Sequence, residues 1–288
     1  MKQSVDSLDK TSFGDLPRAL QAKDVIELYG KEGSGKTQIL IHLIANCILP
    51  KTWEGLIVNG RGVSVVFFDT DYHFSLVRLV EILEDRVTCC ISRHVSGHEV
   101  QRATDMESFV KSCLSRLVIV QCNSSIELLA TLESLDYVLS ERPEICLLMF
   151  DSIGAFYWLD KCNGGDSIYE QERYQRRLVA LFKKYIHTYN LIVVATKPAI
   201  FHKEVKQHNA KEHYEYLCRD WQDLVKYRYS VSRTKVQLFY SKGFCPLEIH
   251  LSSFPSAKEE CCFQILAIFS EFLIRSRGQY LTPSCPSS

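Results

Sequence analysis

The chain has 288 residues, 46% hydrophobic and 24% charged, which suits a folded globular protein and excludes disorder over most of its length. Lys plus Arg and Asp plus Glu both number 34, so no global basic field draws it to nucleic acid and any such contact has to come from a local patch. No apolar run reaches the roughly 20 residues of a membrane helix, and the opening MKQSVDSLDK lacks the apolar stretch of a secretory signal.

In chain order, Val25 to Tyr29 reads as a short strand running into a glycine-rich turn. Ile39, Leu40, Leu43, Ile44, Cys47 and Ile48 then recur at helical spacing, and Pro50 stops the helix. Val63 to Phe68 is a continuous apolar run, the pattern of a strand covered on both faces. A helix is predicted from Phe74 to Arg86, and residues 88–112 are polar and mixed. Leu117 to Val120 reads as a strand, and Ser124 or Ser125 caps a helix that runs to Leu139 and ends at Glu141-Arg142-Pro143. Ile145 to Phe150 is another fully apolar strand; a long helix from Ser167 to Tyr189 and a strand from Leu191 to Thr196 follow. Alternating strands and helices, with strands buried on both faces, imply an α/β fold with a mostly parallel sheet sandwiched between helices. After residue 197 the alternation breaks. Residues 228–250 have β-like alternation, which predicts a C-terminal β-rich extension, Ile265 to Leu273 is a candidate helix, and Ser276 to Ser288 reads as a frayed tail. The organisation expected is an N-terminal segment 1–20, a core 21–250 and a tail 251–288.

Gly30-Lys31-Glu32-Gly33-Ser34-Gly35-Lys36-Thr37 matches G-x-x-x-x-G-K-[ST] without a mismatch, with a strand before it and a helix after it. Glycines let the backbone curl so that its N–H groups converge on phosphate oxygens, and the helix N-terminus adds a positive dipole end. Lys36 is placed to reach the β- and γ-phosphates of ATP, and Thr37 to offer a hydroxyl to Mg²⁺. A second carboxylate is needed at the end of another strand, and Asp151 after Leu147-Leu148-Met149-Phe150 supplies it. The acids of Asp69-Thr70-Asp71, at the end of the Val63–Phe68 strand, either polarise an attacking water or cap the following helix. The twelve cysteines form no C-x-x-C pair, which argues against zinc and for free, buried thiols in a reducing compartment.

These motifs together resemble the RecA-type recombinase core, and ILPKTWEG, FFDTDYHFSLVRLVEILE, FDSIGAFYWLDKCNGGDS and RDWQDLVKYR resemble the eukaryotic recombinase paralogues in particular, over about residues 17–250. The resemblance implies a RecA-like P-loop NTPase core and a nuclear role in homologous recombination and double-strand-break repair. It implies direct contact with the D-type paralogue, the B and C types in the same complex, and binding of single-stranded or branched DNA to assist the main recombinase filament.

Departures from the recombinase pattern carry their own expectations. Asp71 stands at the catalytic glutamate position, one methylene short; a displacement of about 1 Å is enough to lower a rate on the order of 10²-fold. Pro198 stands where a glutamine senses the γ-phosphate, so slow or absent hydrolysis is expected. In the first DNA-binding loop, Tyr157 to Gly165, Trp158 and Gly164 replace arginines, leaving Lys161, while Tyr157 and Trp158 either stack a base or pack against protein. Residues 197–242 hold ten Lys and Arg against five Asp and Glu, interleaved with Tyr214, Tyr216, Trp221, Tyr227 and Tyr229, which suits either a DNA-facing loop or a solvated one. Recombinases carry an N-terminal domain and an aromatic-x-x-Ala linker that docks on the next core; here 29 residues precede the loop, and Phe13-Gly14-Asp15-Leu16 has Leu in place of Ala. The expectation is a cap that accepts one partner and does not form a homopolymer. An active DNA-dependent ATPase or strand-exchange recombinase, and a P-loop kinase, are the competing readings; the kinase is disfavoured because residues 88–112 offer only Arg93 and Arg102 for an arginine lid.

Overall fold

The structure is a computed structural model and describes residues 22–94, 105–199, 215–232, 235–240 and 243–250. The element order is β1 (Val25–Gly30), α1 (Lys36–Ile48), β2 (Thr52–Trp53), β3 (Leu56–Ile57), β4 (Ser64–Asp69), α2 (Leu76–His94) and α3 (Met106–Leu114). It continues with β5 (Leu117–Gln121), α4 (Ser125–Glu141), β6 (Ile145–Asp151), α5 (Tyr157–Asn163), α6 (Ile168–Tyr189) and β7 (Ile192–Pro198). It ends with α7 (Arg219–Leu224), β8 (Tyr227–Val231), β9 (Lys235–Tyr240) and β10 (Gly243–His250).

Eight strands form one sheet in the order β10-β9-β8-β1-β7-β6-β4-β5. The six from β8 to β5 run parallel, and β9 and β10 add antiparallel pairs at one edge. Strand alternation divides the core into two layers. Ile26, Leu28, Val65, Phe67, Leu147, Met149, Ile192 and Val194 pack on the α1, α2 and α3 side. Val25, Val66, Phe68, Leu148, Phe150, Val193 and Ala195 pack on the α4, α6 and α7 side. On that second side Phe68 stacks on Phe150 at 4.5 Å between ring centres, and Phe150 meets Phe182 of α6 at 4.8 Å. Burying one such side chain is worth about 1.5–3 kcal/mol, which is why an apolar run with no polar face settles in the middle of a parallel sheet. The α/β sandwich and the β-rich extension are therefore as the sequence implies.

Helix starts follow capping chemistry. Ser124 Oγ accepts from Glu127 N at 3.2 Å, and Ser167 Oγ accepts from Glu170 N at 3.4 Å. The helix after β4 starts later than Phe74, because Ser75 Oγ accepts from Arg78 N at 3.2 Å and so acts as its cap. Phe74 instead packs on Phe67 at 4.8 Å. Of the stretch read as mixed, residues 88–94 form the last turns of α2 and residues 106–112 belong to α3, whose cap is Asp105 accepting from Ser108 N, while residues 95–104 lie outside the described residues. The β2–β3 hairpin and α7 were not legible: each is short and stabilised by tertiary packing, with Trp53 set edge-on against Phe109 at 5.2 Å and Trp221 almost wholly buried. The segment 1–20, the candidate helix at Ile265 to Leu273 and the tail to Ser288 lie outside the described residues.

Parallel strands deliver their C-terminal ends to one rim of the sheet. The ends of β1, β7, β6 and β4 lie side by side there, bringing Gly30, Thr196, Asp151 and Asp69 together.

Candidate nucleotide site

The phosphate loop leaves β1 at Gly30, where the chain is crowded: a Cβ at this position would lie 2.2 Å from the Val231 carbonyl oxygen of β8. Gly33 and Gly35 take φ of 68° and 101°, conformations that a side chain would strain. A Cβ on Gly35 would meet nothing within 4 Å, so the loop opens onto free space. The loop feeds α1, which has no side-chain cap and no acidic residue in its first turn. An uncapped helix N-terminus with the dipole unopposed suits an anion.

Lys36 Nζ donates to the carbonyl oxygens of Gly30 and Lys31, both at 3.0 Å. Burial pulls the pKa of its ammonium down, while Asp151, Asp71 and Glu32 hold it up. Thr37 Oγ1 donates to Asp151 Oδ2 at 2.6 Å, and Thr196 Oγ1 donates to Asp151 Oδ1. The Asp151 backbone carbonyl accepts from Thr70 N at 2.8 Å and Asp71 N at 3.0 Å, and Thr70 Oγ1 donates to the Ser152 carbonyl at 2.7 Å. The Thr37–Asp151 oxygen pair beside an open, cationic, uncapped loop is a hard-donor set of the kind Mg²⁺ uses with a nucleotide phosphate. The residues present therefore fit the implied cofactors. Among the described residues there is no cluster of three or more His, Cys, Asp and Glu able to hold a metal ion.

The two acids after β4 separate. Asp69 is buried and committed to structure, its Oδ1 accepting from His73 N at 3.1 Å and its Oδ2 from Gln121 Nε2 at 3.2 Å. Asp71 stands at the site. Burial raises the pKa of its carboxyl and the Asp151 charge adds to this, against the Ser152 hydroxyl, His73 and Lys36. Neither acid caps α2. At the end of β7 Pro198 presents only its backbone, and its carbonyl accepts from Tyr216 OH at 2.9 Å.

Two expected DNA-facing features change character. Tyr157 to Asn163 is helix α5 and not a loop. Asp160 on it is buried and accepts from Ser125 Oγ at 2.6 Å, pinning α5 to the start of α4. Tyr157 packs edge-on against Tyr216 at 4.7 Å, while Trp158 is about half exposed with Lys161 Nζ 5.4 Å from its ring centre. Within 197–242, Tyr216, Trp221, Tyr227 and Tyr229 are core residues and offer no stacking faces. Lys197 and Arg228 are held in internal ion pairs with Glu27 and Glu215, and the exposed Lys226 pairs with the buried Asp24. Lys203, Lys206, Lys211 and Tyr214 lie outside the described residues. The excess of positive charge read there is thus partly internal. The reading of buried thiols holds in part: Cys47, Cys113, Cys122 and Cys218 are free and buried, Cys90 and Cys146 are partly buried, and Cys89 and Cys162 are free and exposed.

The Rad51 family profile matches residues 5–213. The mouse DNA repair protein XRCC2 is 36% identical over 243 residues, covering 81% of this chain and 80% of its own. The DNA repair protein XRCC2 homolog of Arabidopsis thaliana is 31% identical over 214 residues, covering 64% and 57%. The DNA repair and recombination protein RadA of Halobacterium salinarum is 24% identical over 185 residues, covering 62% and 52%.

The Asp160 carboxyl yields a pH prediction. Burial raises its pKa above the ordinary 3.8, against the Ser125 hydrogen bond. The folded state therefore holds this proton more tightly than the unfolded chain, and stability falls as pH rises from 3.8 through the raised value. Asp160→Asn removes that slope. In urea unfolding at a series of pH values, the stability of the variant relative to the parent should grow above pH 3.8 and then level off; a constant difference would contradict the assignment.

Proposed function

The chain belongs to the Rad51 family, and from that premise we propose that it is an ATP-binding recombinase-paralogue subunit serving homologous recombination and DNA double-strand-break repair in the nucleus. It works within a heteromeric complex, binds single-stranded or branched DNA and assists the recombinase filament. The observation that supports this reading is the glycine loop backed by Thr37 bonded to Asp151, with Asp71 beside Lys36 and Asp151.

Lys36 and the N-terminus of α1 would hold the phosphates, and Thr37 with Asp151 would hold Mg²⁺. The ion supplies charge neutralisation at the phosphates when bound. Thr196 keeps the Asp151 carboxylate oriented. Asp71 sits next to Lys36 and Asp151 with a shortened reach, and Pro198 brings no side-chain donor to the γ-phosphate. Tight binding with slow turnover follows, which suits a subunit whose nucleotide is structural.

The partner surface is the open edge of the sheet. β5 pairs only with β4 among the described strands, so its outer backbone groups are available for an added strand. Its side chains are only partly buried, and Ile119 is 39% exposed. This edge is the receiving half of the joint with the D-type paralogue, and the B and C types complete the complex.

Lys36→Ala should weaken binding of a labelled ATP analogue by about 1.5–3 kcal/mol, the worth of a charge-assisted contact; unchanged affinity would overturn the nucleotide assignment. Asp71→Glu should raise the slow turnover of the isolated chain, and parent kinetics at the pace of an active recombinase would contradict the adaptor reading. Ile119→Lys should abolish a one-to-one complex with the D-type paralogue in light scattering while circular dichroism stays unchanged. Retained complex formation would move the interface elsewhere.

A further inference from the structure

Adjacent residues on β7 face opposite sides of the sheet. Thr196 points to the α1 side and bonds Asp151, while Lys197 points to the α4, α6 and α7 side. Lys197 is fully buried, with Nζ 3.0 Å from Glu27 Oε1 and 2.9 and 2.8 Å from the two oxygens of Glu215. Glu27, also fully buried, accepts from Trp221 Nε1 at 2.6 Å. Arg228, the register partner of Glu27 across β1 and β8, lies 3.3 Å from Glu27 Oε1 and 3.3 Å from Glu215 Oε2. Glu215 also accepts from the backbone N–H groups of Tyr216 and Leu217, both at 3.1 Å.

The cluster is electrically balanced, two acids against two bases. Taking such groups out of water carries a penalty of several kcal/mol per ion, and well-packed apolar residues would serve stability as well or better. What the ion cluster adds is a fixed position. It joins residues 215–221 to the end of β7, one residue from the side chain that orients Asp151.

Resting on the nucleotide binding proposed above, we infer that Lys197 is a positioning residue: the Glu27–Lys197–Glu215 cluster ties residues 215–221 to the strand end from which Thr196 holds Asp151. The ordering of that segment and the occupancy of the magnesium-nucleotide site are thereby coupled across the sheet. Because β7 pairs with β1 through Thr196 and Lys197, and the Thr196 carbonyl also accepts from Ile153 N at 3.0 Å, a shift at Thr196 carries Lys197 with it.

The test measures amide hydrogen exchange over residues 215–224 and the Mg²⁺ midpoint for binding a non-hydrolysable ATP analogue, in the full chain and in Lys197→Met. The parent should gain protection at 215–224 when analogue and Mg²⁺ are both present. Lys197→Met should lose that gain and raise the Mg²⁺ midpoint about tenfold or more, the usual effect of removing support behind a metal ligand. Glu215→Gln is less buried and carries the same readout if Lys197→Met does not fold. A merely structural Lys197 would lower thermal stability in the folded variants yet leave the Mg²⁺ midpoint and the nucleotide-dependent protection unchanged, and that result overturns the inference. Parent chain that binds the analogue without gaining protection overturns it while leaving the nucleotide assignment standing; parent chain that binds no analogue overturns both.

Discussion

Asp151 is the point where three parts of the molecule meet. Its carboxylate takes Thr37 from α1 and Thr196 from β7, and its carbonyl takes the backbone of Thr70 and Asp71 after β4. A carboxylate at the end of a buried strand has to be satisfied, because an unpaired charge there carries a large penalty. Satisfying it aligns the phosphate loop, the strand carrying the support residue and the turn carrying Asp71. The candidate nucleotide site is the consequence of that alignment.

The sheet makes such a meeting point available. Its parallel strands bury both faces, so the polar groups that side chains need for chemistry are pushed to the strand ends. One group escapes this rule. Glu27 lies in the middle of β1, with no exposed surface, and it is tolerated because Lys197, Arg228 and Trp221 converge on it. The sheet thus carries a phosphate-facing polar centre on one side and an ion cluster on the other, with β7 contributing adjacent residues to both.

The same geometry carries two departures from the recombinase pattern, at Asp71 and Pro198. The residues proposed to bind nucleotide lie together: the loop glycines, Lys36, Thr37 and Asp151. The part concerned with hydrolysis is altered at Asp71, which is short, and at Pro198, whose only polar contribution is a backbone carbonyl already engaged by Tyr216. A subunit built in this way would, on the proposed function, hold nucleotide as a brace and offer the open β5 edge to a neighbour.

The sequence by itself determined the α/β sandwich, and it marked the glycine-loop motif at Gly30–Thr37 and the strand-end place of Asp151. Their signals are local: an uninterrupted apolar run means a strand covered on both faces, and the loop's residues are contiguous because one turn has to wrap one phosphate chain. Glu27 carries a lone charge inside the otherwise apolar strand β1. Only the tertiary structure decided what that charge meets, because Trp221 is 194 residues away and charge–charge pairing leaves no period to read. Tertiary packing likewise divided Asp69 from Asp71, giving the first to Gln121 and the turn at His73 and the second to the site. It placed Tyr216, Trp221, Tyr227 and Tyr229 in the core, although their interleaving with lysine and arginine suited a DNA-facing loop equally well. Side chains on alternate positions of a strand go to opposite faces, and whether a face meets solvent or a helix is set by elements far away in the chain.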